Sequence, residues 1–96
     1  MITIDDLSIL IPQYAVVYGN EHVEFSKKEF EILIQLAKSR GRVLTRQVLF
    51  HTIWGHHDNS ANRTIDVHIG RIRKKLKGCA HYIETVPGVG YRFHEK

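Results

Sequence analysis

Seven histidines and one cysteine are the residues of this chain best suited to metal or nucleophilic chemistry. The densest groups are His56, His57 and Asp58, and Cys79 with His81. A structural zinc site needs about four ligands at helical or knuckle spacing. Neither group supplies them, so no metal is expected. A thiol nucleophile needs a base that a third group orients. Cys79 and His81 fall in a short loop with no orienting carboxylate, and a surface thiol is expected. No phosphate loop, nucleophile elbow or dinucleotide fingerprint occurs, so neither enzyme nor cofactor is expected. The stronger pattern is basic. Residues 62–77 carry Arg63, Arg71, Arg73, Lys74, Lys75 and Lys77 against one acid, Asp66. That segment is +5, more than the +4 of the whole chain. Its natural chemistry is the capture of a polyanion.

At about 100° per residue on a helical wheel, Ile65, Ile69, Ile72 and Leu76 share one narrow sector and must face a core. The opposite sector holds Arg63, Val67, Gly70, Arg71 and Lys74. Thr64, His68 and Lys75 flank one side, and Asp66, Arg73 and Lys77 the other. A solvated helix usually mixes charge signs at four-residue spacing. Like charges crowd here, which makes sense if the face meets phosphates and releases their counterions. Arg can also hold guanine O6 and N7 with two hydrogen bonds. Val67 suits a thymine methyl, and Gly70 lets the helix approach closely. The plainer alternative, a soluble basic helix with Lys at its C-terminal dipole, explains Lys74, Lys75 and Lys77 but not Arg63 and Arg71.

The elements that would position this helix are legible in outline. Residues 2–4, 7–11, 14–18 and 22–25 are β-rich and separated by Asp5 and Asp6, Pro12 and Gln13, and Gly19 and Asn20. They predict a four-stranded antiparallel meander over residues 1–25 with one acidic, exposed face. Ser26 and Glu29 have the form of a capping box. Behind them Phe30, Leu33, Ile34 and Ala37 keep helical spacing, and Gly41 suits the stop. Thr45 is a second plausible N-cap, for a helix with Val48, Leu49, Ile53 and Trp54 that closes at Gly55. The third helix should span residues 62–77, ended by Gly78. Residues 82–94 read as a β-hairpin turning at Pro87 to Gly90. The order is strands, three helices over residues 26–78, then a hairpin: an α+β arrangement.

Composition bounds the rest. Ninety-six residues and 11.2 kDa suit one domain over residues 1–96. The longest apolar run is the five residues Tyr14 to Tyr18, too short to span a bilayer, and no membrane partner is expected. With one cysteine and no signal-peptide pattern, a cytoplasmic location is expected. Charge is polarised: residues 1–26 sum to −4 and residues 27–96 to +8. Such asymmetry points toward nucleic acid or an acidic surface.

RTIDVHI over residues 63–69, RIRKKL over 71–76, IETV over 83–86 and GVGYRF over 88–93 closely resemble the DNA-binding domain of OmpR/PhoB-type response regulators. FSKKEFEILIQL over 25–36, GRVLTR over 41–46 and IWG over 53–55 are similar to it too. The resemblance implies a winged helix-turn-helix with an N-terminal four-stranded sheet, three helices and a C-terminal β-hairpin wing. It implies the output domain of a two-component system, binding double-stranded DNA with the third helix in the major groove. Arg63, Val67, His68 and Arg71 would then face bases or nearby phosphates. Thr64, Arg73, Lys74, Lys75 and Arg92 would meet the backbone. Trp54 matches a phosphate-contacting position, or simply packs between helices. Thr85 and Tyr91 match wing contacts with phosphate, although Tyr91 also suits hairpin packing. Asp66 reads as an intramolecular partner for a nearby Arg. Family members bind direct repeats as head-to-tail pairs, touch RNA polymerase through the loop that is residues 55–61 here, and carry a receiver domain answering to a sensor kinase. These residues show no receiver domain. Two positions depart from the pattern: Gly70 where a basic residue is common, and Pro87 where Arg usually enters the minor groove. A winged helix used for protein contact, without specific DNA reading, is the alternative.

Overall fold

The computed structural model describes residues 1–94, and its first four strands follow the turn residues closely. Strands β1 (Ile2–Ile4), β2 (Leu7–Leu10), β3 (Ala15–Tyr18) and β4 (Glu21–Glu24) pair antiparallel in that order. A 3-10 turn over Ile11–Gln13 ends β2 one residue early, because Pro12 cannot donate to a ladder. Tyr14 leaves that turn at φ 53, so β3 begins at Ala15. The expected acidic face is instead an acidic rim. Asp5 and Asp6 sit in the first hairpin turn. Glu21 and Glu24 lie three residues apart on edge strand β4, which puts them on opposite faces.

Helix α1 (Lys27–Lys38) starts at the capping box that Ser26 and Glu29 encode. The Glu29 amide donates to Ser26 Oγ at 3.4 Å, and the Ser26 amide to Glu29 Oε1 at 3.2 Å. The helix stops at Ser39, before Gly41. Gly41, at φ 87, instead turns the chain and donates its amide to the Phe93 carbonyl. That contact leads into an element absent from the sequence expectation. Strand β5 (Val43–Thr45) pairs with β7 (Gly90–Phe93), which pairs with β6 (Ile83–Val86). The wing is therefore the outer part of a three-stranded sheet of order β5-β7-β6.

Helix α2 (Arg46–Trp54) follows directly, with Thr45 Oγ1 accepting from the Val48 amide at 3.1 Å. Helix α3 spans Ala61–Leu76, one residue earlier at each end than expected. Its start is fixed by Asp58, whose carboxylate accepts from the Ser60 amide and hydroxyl at 2.7 and 2.6 Å. Its end is Lys77, at φ 52, rather than Gly78, and a 3-10 helix over Lys77–Tyr82 leads into β6. One apolar core joins both sheets to the helices through Ile9, Val16, Phe30, Leu33, Leu49 and Phe93. Ile65, Ile69, Ile72 and Leu76 are all buried in it, as the wheel requires. Truncating one such residue to Ala costs about 2–5 kcal/mol, so this stripe anchors α3 firmly. No helix among the described residues is long and apolar enough to cross a membrane.

Candidate nucleic-acid interface

Burial of that stripe forces the opposite side of α3 outward. Arg63, Gly70, Arg71 and Lys74 are exposed, and Val67 is 43% exposed. Arg63, Arg71 and Lys74 have no ion-pair partner among the described residues. Cations left without carboxylates hold a positive potential over the face. A Cβ added at Gly70 would meet nothing within 4 Å, so packing does not demand glycine there.

Two of the expected DNA contacts, His68 and Trp54, sit at the edge of α3 beside α2. His68 Nδ1 lies 2.8 Å from the Thr64 carbonyl, so that nitrogen carries the proton and donates. The ring meets Trp54 edge-on at 5.3 Å. Trp54 is half-buried, stacked on Phe50 at 4.7 Å, with Lys28 Nζ 5.2 Å from its ring. Lys28 also donates to the Ile53 carbonyl at 3.0 Å. Trp54 thus packs between helices and still borders the α3 edge.

The other edge is tied to the wing. Arg46 donates to Asp66 Oδ2 at 3.0 Å, as expected of Asp66 as an internal partner. Tyr91, itself buried, donates its hydroxyl to Asp66 Oδ1 at 2.6 Å. Burial, and then this bond to a carboxylate, push the Tyr91 phenol up to about 12. Arg73 donates to the Ile83 carbonyl at 2.7 Å and to Thr85 Oγ1 at 2.8 Å, and lies over the Tyr91 ring. Arg73, Thr85 and Tyr91 are therefore brought together, but as a brace between α3 and the wing.

The structure separates two residues from the group. Lys75 turns inward to Glu29 of α1, Nζ to Oε1 2.6 Å, and caps the Phe25 ring. Burial raises the Glu29 carboxyl, but Lys75 and Ser26 outweigh it and hold Glu29 below the usual carboxylate range. Helical geometry explains the difference: Lys75 is 100° from Lys74, enough to move it from the open face to the α1 seam. Arg92 lies on the wing face opposite Tyr91, since strand neighbours alternate. There its Nε donates to Glu84 at 2.8 Å, and His94 Nδ1 is 3.2 Å from the same carboxylate. Arg92 does not share the Tyr91 face, so it does not stand in for the missing wing-tip Arg.

The wing tip is a type II turn. Pro87 and Gly88 occupy its centre, Gly88 at φ 75, and the Val89 amide donates to the Val86 carbonyl at 3.0 Å. Pro87 and Val89 are exposed there, so the tip is apolar. At its base Gly90 is pressed against β5: an added Cβ would fall 2.1 Å from the Leu44 carbonyl oxygen.

The residues first considered for chemistry are otherwise engaged. His57 stacks on His51, His56 meets Phe50 edge-on, and Asp58 is bonded to Ser60 ahead of α3. Among the described residues no cluster of three or more His, Cys, Asp or Glu could hold a metal. Cys79 is half-buried against the core rather than a surface thiol. Burial, aided by Asp6, pushes its thiol up, opposite to activation. His81 engages the Gly78 carbonyl at 3.0 Å. An open cavity of about 260 Å³ between residues 11–14, α1 and α2 is lined by no residue of α3. Sequence reasoning gave no role to Arg46 or Lys28. Arg46 stood within GRVLTR, directly after the Thr45 cap, and the lone acid of α3 was the signal for its partner.

The family description "Transcriptional regulatory protein, C terminal" matches residues 19–93. The alkaline phosphatase synthesis transcriptional regulatory protein PhoP of Bacillus subtilis (strain 168) is 37% identical over 98% of this chain, which spans 40% of that relative. The DNA-binding domain of Klebsiella pneumoniae RstA, solved in complex with the RstA box, superposes with a TM-score of 0.86 at 33% identity. That match covers 97% of this chain and 95% of RstA's. The response regulator DrrB of Thermotoga maritima, an OmpR/PhoB homolog, gives 0.84 at 36% identity, over 98% of this chain and 44% of its own. The chain thus spans less than half of the full-length regulators it matches.

Proposed function

Because the chain belongs to the family of DNA-binding domains of OmpR/PhoB-type response regulators, we propose that it binds double-stranded DNA sequence-specifically and so regulates transcription. The family is one of transcription regulators and not of enzymes. The carrying observation is the open face of α3: Arg63, Arg71 and Lys74 exposed and unpaired above a fully buried apolar stripe. With that face in the major groove, Arg63 and Arg71 reach base edges or the phosphates beside them, and Val67 meets a thymine methyl. Thr64, His68 and Trp54 hold the backbone along one edge, and Lys74 holds it from the open face. Arg73, Thr85 and Tyr91 set the wing and meet the backbone on the other. Lys75 and Arg92 fall outside this surface, because Glu29 and Glu84 occupy them.

The wider setting follows from the same membership. The chain works as a single module that binds direct repeats as a head-to-tail pair in the cytoplasm. The loop of residues 55–61 faces RNA polymerase. A receiver domain governed by a sensor kinase supplies control. The test is selection of bound duplexes from a random pool, then affinity measured against salt. A selected duplex should bind with log K falling linearly on log salt, with a slope of about −0.9 per phosphate neutralised. A flat salt response, or no enrichment of any sequence, overturns the DNA reading in favour of a protein-contact module.

A further inference from the structure

Asp66 is the one acid on α3, which carries five cations, and it engages Arg46 of α2 and Tyr91 of the wing. Its two oxygens take Arg46 at 3.0 Å and Tyr91 at 2.6 Å. Beside this pair, Arg46, Thr85, Val86, Gly88, Gly90 and Tyr91 line a cleft of about 30 Å³ under the wing. That volume holds one water-sized group, the size of a single phosphate oxygen. Two of its lining residues keep donors to spare. Thr85 Oγ1 accepts from Arg73, so its own hydroxyl proton is left to donate. Arg46 spends one of five N–H donors on Asp66. Asp66 is 43% and Arg46 27% exposed in the side chain, so solvent and an incoming anion reach the pair. The Arg46 pair itself is open to water, where ion pairs contribute little; inside the fold the carboxylate serves only the buried Tyr91 hydroxyl.

The geometry points to Asp66 as a specificity-determining residue, an internal counter-anion that holds Arg46 and Tyr91 until a DNA backbone phosphate enters the cleft and takes them over. This rests on the DNA-binding reading and extends it. In the free protein Asp66 neutralises, from beside the cleft, the groups that the phosphate will meet. Binding then exchanges one anion for another, so the cleft gains little from an arbitrary stretch of backbone. Only a duplex that also satisfies Arg63 and Arg71 brings α3 deep enough for the exchange. The device lowers the affinity of a basic surface for random DNA while leaving its fit to the right sequence.

The test uses the 96-residue chain, its Asp66→Asn and Arg46→Ala variants and the double variant. Each is titrated against a selected duplex and a random-sequence duplex over a range of salt. Asparagine keeps the shape and can still accept from Tyr91, and thermal melts confirm that each variant is folded. Asp66→Asn should bind the random duplex more tightly, with a salt slope steeper by about 0.9, one further phosphate neutralised. Across roughly a tenfold range of salt, its advantage over wild type should then shrink by about eightfold. The selected duplex should gain less, so the ratio of the two affinities falls. Adding Arg46→Ala should return the slope to the wild-type value. An Asp66→Asn slope equal to wild type, or equal weakening on both duplexes, overturns the counter-anion role. Wild type that binds neither duplex overturns the DNA reading, and this inference with it.

Discussion

Lys74 and Lys75 are neighbours of the same charge on the same helix, yet their removal should have opposite consequences. Lys75 Nζ sits 2.6 Å from Glu29, whose side chain is 6% exposed. Lys75→Ala leaves that carboxylate buried with only its Ser26 bonds. Losing one partner of a buried charged hydrogen bond costs roughly 1–3 kcal/mol. Because Lys75 itself is 40% exposed, water partly replaces it, and about 1–2 kcal/mol is the reasonable figure. For a chain of this size each kcal/mol moves Tm by about 4–8 °C, so a fall of roughly 4–16 °C is expected by calorimetry at neutral pH. The pH dependence has a fixed sign. Glu29 is held below the usual carboxylate range when folded. Its pairing therefore stabilises above the unfolded carboxylate value and is lost as pH falls through the lowered folded one. The gap between wild type and Lys75→Ala should close in that acid window. Lys74→Ala should leave stability within about 0.5 kcal/mol of wild type. It should instead reduce the salt slope of duplex binding by about one and weaken all sequences alike. If Lys75→Ala instead lowered the salt slope and left Tm unchanged, the assignment of Lys75 to the α1 seam would be wrong.

Arg71→Ala should lose about 1–3 kcal/mol on a selected duplex and blur its sequence preference; a loss equal on random DNA would remove Arg71 from base reading. Pro87→Arg puts a cation on the exposed wing tip and should raise affinity most for A·T-rich flanks, whose narrow minor groove attracts Arg. Equal affinities across flanks of different groove width would show that this tip stays outside the groove. Gly90→Ala drives a methyl to 2.1 Å from the Leu44 carbonyl oxygen, and backbone cannot swing aside as a side chain can. It should cost more than about 3 kcal/mol, the upper range for overpacking, and amide exchange should show β5 and β7 opening together. A protected β5 in a stable Gly90→Ala protein would contradict that contact.

Much of the fold was legible because its signals are local. The capping box at Ser26, the cap at Thr45 and the four-residue stripe from Ile65 to Leu76 each depend on residues within a turn or two of one another. Strand β5 was not legible, because three residues carry no periodicity. What makes Val43–Thr45 a strand is β7, more than forty residues further on, and the Gly41 amide that reaches the Phe93 carbonyl. The end of α3 failed for a related reason. Lys77 takes φ 52 at the helix end, a conformation whose local preference would have chosen Gly78.

The site divides along the same line. Which residues of α3 face outward follows from the wheel, since burial of one sector fixes the other. Whether an outward cation is available to a ligand does not follow, because its availability is set by carboxylates distant in sequence. Glu29 takes Lys75 across 46 residues, and Asp66 takes Arg46 across 20. Charge counting placed +5 on residues 62–77, but that figure includes Lys77 beyond the end of α3, Lys75 turned to α1, Arg73 turned to the wing, and one acid turned to α2 and the wing. The proposed DNA surface is thereby narrower than the composition implies and centred on Arg63, Val67, Arg71 and Lys74, the exposed residues of that face. A narrower cationic face gives up some indiscriminate attraction to phosphate. It leaves discrimination to the few side chains that reach base edges, which is the balance a sequence-reading helix requires.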